Sequence, residues 1–303
     1  RLDHPVLRRA SWGAAQNRVV GALHALRRAG PEVVYIPGNQ HRPVRLFCGL
    51  SLPAMRVRRR AIHVTADGRR LLVPHGDEFD AITHFGSLQD AVRATIIALK
   101  HNPAAVALID DYILNCTKDN IEQNRNRFFG KGDPKAILLI EITRPTVEEI
   151  ERTAAAMEKD MVAAGFGYHF PLYTGADEMA RVWELRKAGL GVLLNIPGRR
   201  KSVQVIEDTA VLPDLFPDYI AEAAGILEKH RLSCAYYAHI ATGELHLSPL
   251  LDLKDPDDIR TFHGLAEDMA ALVKKYRGSL SGEHGDGRLR GEFIPLMLGP
   301  HNY

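Results

Sequence analysis

The sequence is poor in cysteine, in aromatic residues and in long apolar runs, and each shortage removes a class of protein. Its 303 residues include three cysteines, Cys48, Cys116 and Cys234, far apart and without a Cys-x-x-Cys pair. That excludes a disulfide framework, a zinc ribbon and an iron–sulfur site within this chain, and predicts a reducing compartment. Aromatics make up 7%, and 25 glycines with 17 prolines are too few for a collagen, mucin or low-complexity chain. No uncharged apolar stretch approaches the roughly 18 to 20 residues of a membrane helix. The longest candidates, 136–140 and 189–196, have the length of core strands. Neither sign of charge dominates: 39 basic against 37 acidic residues leave +2, which excludes a broad footprint for nucleic acid. There is no GxGxxG, no internal repeat and no linker rich in Gly, Ser or Pro. The chain opens on Arg1 without a signal-type segment, which reads as a removed start or a piece of something longer.

What remains is the composition of a folded protein, 46% hydrophobic and 25% charged, long enough for one large or two modest cores. Apolar spacing predicts a helix over 16–29, a strand at Val33 to Ile36, and a hairpin whose arms, Ala61 to Thr65 and Leu71 to Pro74, flank Ala66-Asp67-Gly68. From Ser87 the units lengthen. Helices are predicted at Ser87 to Lys100, from a Thr146-x-x-Glu149 capping box to about Ala164, at Asp177 to Lys187, at Pro213 to His230 and from Asp255-Pro256. Strands are predicted at Ile137 to Thr143, Tyr168 to Leu172 and Val203 to Val211, and a hairpin from Ser233 to Ile240 and Leu245 to Leu250. Gly278, Gly282, Gly285, Gly287 and Gly291 mark a loop with unusual backbone angles.

Two early stretches place metal-type residues after strands: Pro37-Gly38-Asn39-Gln40-His41 and His75-Gly76-Asp77-Glu78-Phe79-Asp80. Two hard cations clamping a phosphate need Asn, His and Asp at such positions. Residues 10–83 resemble the middle of the calcineurin-like metallophosphoesterases, in their UDP-2,3-diacylglucosamine diphosphatase-like branch. The resemblance implies Asn39 and His75 as metal ligands. The chain departs from the pattern at Gln40 and Arg42 and lacks the other ligand motifs, so a turn residue at Asn39 and a strand-end polar group at His75 is the plainer reading.

The sharpest constellation lies later, in His239-Ile-Ala-Thr-Gly-Glu-Leu-His246 and Ser281-Gly282-Glu283-His284-Gly285-Asp286-Gly287. A hairpin turning at Thr242-Gly243 places His239 directly opposite His246 on one face, with Glu244 pointing away into solvent. Two imidazoles with a carboxylate such as Glu283 make a catalytic divalent-metal site with open positions. By spacing alone the pair reads equally well as two surface or core histidines.

Residues 278–287 resemble the signature of the C-terminal substrate domain of FAD-linked oxidases, the family of D-lactate, glycolate and D-2-hydroxyglutarate dehydrogenases. Asp110 to Arg127, Val182 to Gly189 and Val205 to Val211 extend the likeness in the same order. The resemblance implies metal ligands at His239, His246 and Glu283 for Zn, Mn or Fe. It also implies a catalytic base at His284, substrate-carboxylate contacts at Arg186 and Lys201, and cofactor contacts at Gly282 and Gly285. Where many members read His-x-Gly-Asp-Gly-Asn-x-His, this chain keeps only Gly243 and the two histidines.

The expected architecture is α+β, an antiparallel sheet flanked by helices over 85–303 and cut at its C-terminus, preceded by a partial α/β metallophosphoesterase-like segment over 1–84. The expected activity is FAD-dependent oxidation of a small 2-hydroxy acid, incomplete without a FAD-binding domain. The alternatives are a metal-dependent phosphoesterase or UDP-diacylglucosamine pyrophosphohydrolase, and an inactive fusion of two gene fragments. A cytoplasmic location is expected, or a peripheral one at the inner membrane, with the electron acceptor and any homo-oligomer left open.

Overall fold

The computed structural model describes residues 21, 22, 25, 33–35, 56–58, 60–64, 70–74, 79–118, 120–144, 146–299 and 301. Most of the expected helix at 16–29, Cys48, and the phosphoesterase-type ligands Asn39 and His75 lie outside those residues. The chain divides into two units, Arg1–Asp77 and Glu78–Tyr303.

In the first unit, β1 (Val34–Tyr35) runs parallel to β2 (Arg56–Val57), a pairing the sequence did not announce. The expected hairpin is present as β3 (Arg60–Val64) against β4 (Arg70–Pro74), in register from Arg60 opposite Pro74 to Val64 opposite Arg70.

The second unit opens with β5 (Asp80–Phe85) and α1 (Leu88–Lys100), which Ser87 caps by accepting from the Asp90 amide. Next come β6 (Ala105–Asp110), α2 (Asp111–Cys116), α3 (Ile121–Arg125) and β7 (Ala136–Glu141). Thr146 caps α4 (Val147–Ala163), as the capping box predicts. After β8 (Leu172–Tyr173) comes α5 (Ala176–Leu194), which runs seven residues beyond the expected end at Lys187 because Gly189 and Gly191 are absorbed into it. Short β9 (Lys201–Ser202) and β10 (Thr209–Ala210) precede α6 (Phe216–Lys229). The chain continues through β11 (Cys234–His239), β12 (Glu244–Leu251) and α7 (Pro256–Lys275).

One antiparallel sheet in the order β10-β12-β11-β6-β7-β5-β8 carries this unit, with β9 on the far half of β12. The boundary falls before β5 and not at Phe85, because β5 pairs with β7 along its whole length. Asp80, which sequence grouped with a phosphoesterase motif, is thus the first residue of a buried strand.

Alternation along the strands divides the apolar side chains between two faces. Leu138 and Ile140 join a core with α1, α4, α6 and α7; Ile137 and Leu139 join a second core with α2 and α5. Each fully buried Ile or Leu contributes about 1.5–3 kcal/mol, so both faces are strongly held. Asp110 fixes α2 against the second face: one carboxylate oxygen caps the helix at Ile113 N, the other accepts from Tyr236 N on β11.

Candidate metal and substrate cleft

β11 and β12 bring the candidate residues to the face covered by α2 and α5. Their register sets His239 opposite Glu244 and Tyr237 opposite His246, two residues away from the expected pairing of His239 with His246. The cause is the turn. Ile240–Thr242 forms a 3-10 turn closed by Gly243 at φ 75°, a four-residue loop ending in left-handed backbone where a two-residue turn was expected. Gly243 is required there, since a Cβ would stand 1.8 Å from the Val211 carbonyl oxygen. Register shifts of two preserve parity, so His239 and His246 still share a face, with ring centroids 5.5 Å apart.

Glu244 shares that face as well, and its expected solvation is wrong: it is buried, with Oε1 3.4 Å from His246 Nε2. A residue two before a ligand on a strand points the same way as the ligand, a rule the sequence reading misapplied. Burial, the hydrogen bond with Asp208 and the charge of Glu283 push the Glu244 carboxyl up to about 7.

The glycine loop arrives from a distance and is pinned by one side chain. Asp208, fully buried at φ 74°, accepts from the amides of Glu283 (3.0 Å) and His284 (2.9 Å) and from the Ser281 hydroxyl. Burial raises the Asp208 carboxyl, but these donors outweigh it and hold it down at about 2. Its neighbour Glu207 bridges two imidazoles, reaching His246 Nδ1 at 3.2 Å and His284 Nδ1 at 2.9 Å. Burial works against the charge on Glu207; the hydrogen bonds from His246 and His284 nonetheless bring it below its ordinary range. Each imidazole therefore donates from Nδ1 and turns Nε2 toward a carboxylate oxygen of the cleft, Glu244 Oε1 at 3.4 Å for His246 and Glu283 Oε1 at 3.3 Å for His284. In the sequence Glu207 and Asp208 stand only as part of the family-like block 205–211. Two adjacent acids inside the apolar run 203–211 were the available signal.

His246 lies between the Tyr237 ring, stacked at 4.7 Å, and the His284 ring at 5.5 Å. The Glu207 hydrogen bond raises the His284 pKa, whereas burial and the Arg186 charge lower that of His239. Arg186 reaches in from α5, with a guanidinium N–H 3.2 Å from His239 Nε2 and its Nε buried without a partner. These groups border a cleft of about 280 Å³ that Ile109, Ile113, Lys187 and Gln204 complete. Its size sits at the small end for ligand pockets.

Of the expected site residues, the structure gathers Arg186, His239, His246, Glu283 and His284 around this cleft. Lys201 does not line it: its Nζ donates to the Ile196 carbonyl at 2.5 Å, and Lys187 is the lysine at the rim. Gly282 is explained by packing, since a Cβ there would lie 2.9 Å from the Glu244 carboxyl carbon. Gly285 has φ +80° and faces open space. His239, Glu244, His246 and Glu283 each offer one donor atom, all within 4.8 Å of one another. No helix among the described residues is long and apolar enough to cross a membrane.

Residues 80–303 match the family described as FAD linked oxidases, C-terminal domain. A D-2-hydroxyglutarate dehydrogenase of Pseudomonas putida is 30% identical over 223 residues, covering 71% of this chain and 22% of the relative. A probable mitochondrial D-lactate dehydrogenase of Danio rerio is 22% identical over 225 residues, 73% of this chain and 42% of the relative. The chain therefore spans about a fifth of the first relative's length. A p-cresol methylhydroxylase structure superposes with a TM-score of 0.50 at 13% identity, covering 77% of this chain and 50% of that one, and shows the fold alone. None of these matches supports the phosphoesterase likeness of residues 1–84.

Proposed function

The chain belongs to the family of FAD linked oxidases, C-terminal domain, and from that premise we propose that it holds substrate and metal in the oxidation of a D-2-hydroxy acid. The observation that carries the proposal is one small cleft where Arg186 faces three imidazoles and Glu283. A planar guanidinium matches a carboxylate in bidentate fashion. Lys187 adds a second cation at the rim, which favours a dicarboxylic member such as D-2-hydroxyglutarate over D-lactate.

With Arg186 holding the carboxylate beside C2, the hydroxyl lies toward the imidazoles. His284 keeps its Nδ1–H on Glu207 and accepts the hydroxyl proton at Nε2. A divalent cation on His239, His246 and Glu283 would lower the pKa of that hydroxyl. As the C2–O bond gains double-bond character, the C2–H bond breaks with its electron pair. FAD, when bound, supplies the acceptor for that hydride. Ile109 and Ile113 close the apolar side of the cleft and keep water from the reacting carbon.

The test is calorimetric binding of D-2-hydroxyglutarate, D-lactate and glutarate to the chain in the presence of Mn²⁺. Binding should fall in that order, and Arg186→Ala should weaken the first by about 10- to 100-fold, the worth of a charged hydrogen-bonded pair. If none of the hydroxy acids binds better than glutarate, the proposal is wrong.

A further inference from the structure

We propose that Glu244 is a fourth protein ligand of this site, and that the ion admitted is therefore six-coordinate and oxygen-preferring, Mn²⁺ or Fe²⁺ and not Zn²⁺. The proposal rests on the cation reading above and goes beyond the ligand set expected from the resemblance. Three observations carry it. Glu244 is only 8% exposed, and its Oε1 has no hydrogen-bond partner. That atom faces His246 Nε2 at 3.4 Å, while the opposite ring nitrogen of His246 is committed as a donor to Glu207. Two acceptor atoms facing each other in a buried place repel unless a proton or a cation lies between them, and a cation is the one that also uses the unpaired Glu244 Oε1.

The spacing suits a metal. Donors about 2.0–2.2 Å from one six-coordinate ion stand roughly 2.8–3.1 Å apart when adjacent and about 4.0–4.4 Å apart when opposite, a range that brackets the distances here. Glu244 to His246 is 3.4 Å and Glu283 to His239 is 3.9 Å. The third observation is Gly282, whose missing Cβ is what lets the Glu244 carboxyl pass beneath the loop, since that atom would meet both Cγ and Cδ of Glu244 at 2.9 Å.

The choice of ion follows from counting positions. Four protein donors close a tetrahedral zinc shell and leave no place for substrate. A six-coordinate ion with the same four donors keeps two positions, the number that a 2-hydroxy carboxylate fills through its hydroxyl and one carboxylate oxygen. Two imidazoles with two carboxylates also form a harder donor set, of the kind that suits Mn²⁺ and Fe²⁺.

The experiment titrates Mn²⁺ alone into the 303-residue chain and follows the free-ion signal by electron paramagnetic resonance. Glu244→Gln, with circular dichroism as the fold check, should bind at least about tenfold more weakly than wild type. Binding by the variant within twofold of wild type would remove Glu244 from the ligand set and leave the three-ligand cation reading intact. Failure of wild type to bind Mn²⁺ would overturn that reading and this proposal together. Water-proton relaxation of the Mn²⁺-loaded wild type tests the same point without any variant. Two exchangeable inner waters are expected; three would overturn the proposal.

Discussion

Where α2 and α5 cover the sheet, acidic side chains are buried at both ends of the strands. At one end Asp80 and Glu141 stand opposite each other in β5 and β7. Among the described residues one side-chain donor serves them, the Trp183 indole N–H at 2.9 Å from Asp80. Burial pushes both carboxyls up to about 7. At the other end Glu207 and Asp208 are as little exposed, yet imidazoles, amides and a hydroxyl surround them and both carboxyls are held low. Solvent exposure is similarly low and the outcome is opposite. Stronger desolvation with few donors neutralises the first pair, and converging donors keep the second pair charged; the charged pair is the one that organises the cleft.

Opposite shifts mean opposite pH dependences. The folded chain keeps protons on Asp80 and Glu141 up to about pH 7, which the unfolded chain releases near 4. Their contribution to stability is present below about 4 and is lost as pH rises through about 7. For Glu207 and Asp208 the folded values are the lower ones, so their contribution is present above the ordinary carboxylate range and is lost as pH falls through it, in the case of Asp208 down to about 2.

Asp208→Ala tests the comparison with the largest effect. Removing the shared acceptor leaves three part-buried donors without it and should lower the unfolding free energy by about 3 kcal/mol, measured by urea denaturation at pH 7. A loss below about 1 kcal/mol would show that Asp208 does not hold the loop. Glu207→Gln comes next. An amide cannot accept from both imidazoles through two oxygens, so Mn²⁺ affinity should fall about 10- to 100-fold with little change in stability. Asp80→Asn sharpens the contrast from the other end, because the amide oxygen can still accept from Trp183. Relative to wild type it should gain about 2 kcal/mol at pH 8 and nothing at pH 4, again by urea denaturation. Equal effects at both pH values would mean that Asp80 is ionised in the folded chain throughout.

Much of this cleft was legible in the sequence, and the misreadings have physical causes. His239, His246, Glu283 and His284 stood out because two histidines at even-compatible spacing and a glycine-flanked Glu-His are local patterns. The face of Glu244 was misjudged, and the register was off by two because a Thr-Gly dipeptide does not reveal a three-residue 3-10 turn. Glu207 and Asp208 were not assigned roles, since their partners are more than thirty residues away in sequence and no local period announces them. In the fold, α1, α4 and α7 were readable from their caps and apolar stripes. β5 and β6 were not: each is buried on both faces, so alternation vanishes and a short mixed or apolar run carries no period. The early likeness to phosphoesterases also claimed Asp80, the residue that starts β5.

The donors rest on unequal foundations. His239, Glu244 and His246 belong to two strands laced together by main-chain hydrogen bonds, whereas Glu283 rides on a loop tied down mainly by the Asp208 carboxylate, with Glu207 holding the neighbouring His284 ring. A cation held here can leave quickly only if that loop lifts, since unzipping the hairpin would disturb the whole sheet. The lifetime of the bound ion is then a clock set by the Asp208 tether, and weakening the tether should shorten residence before it alters equilibrium occupancy.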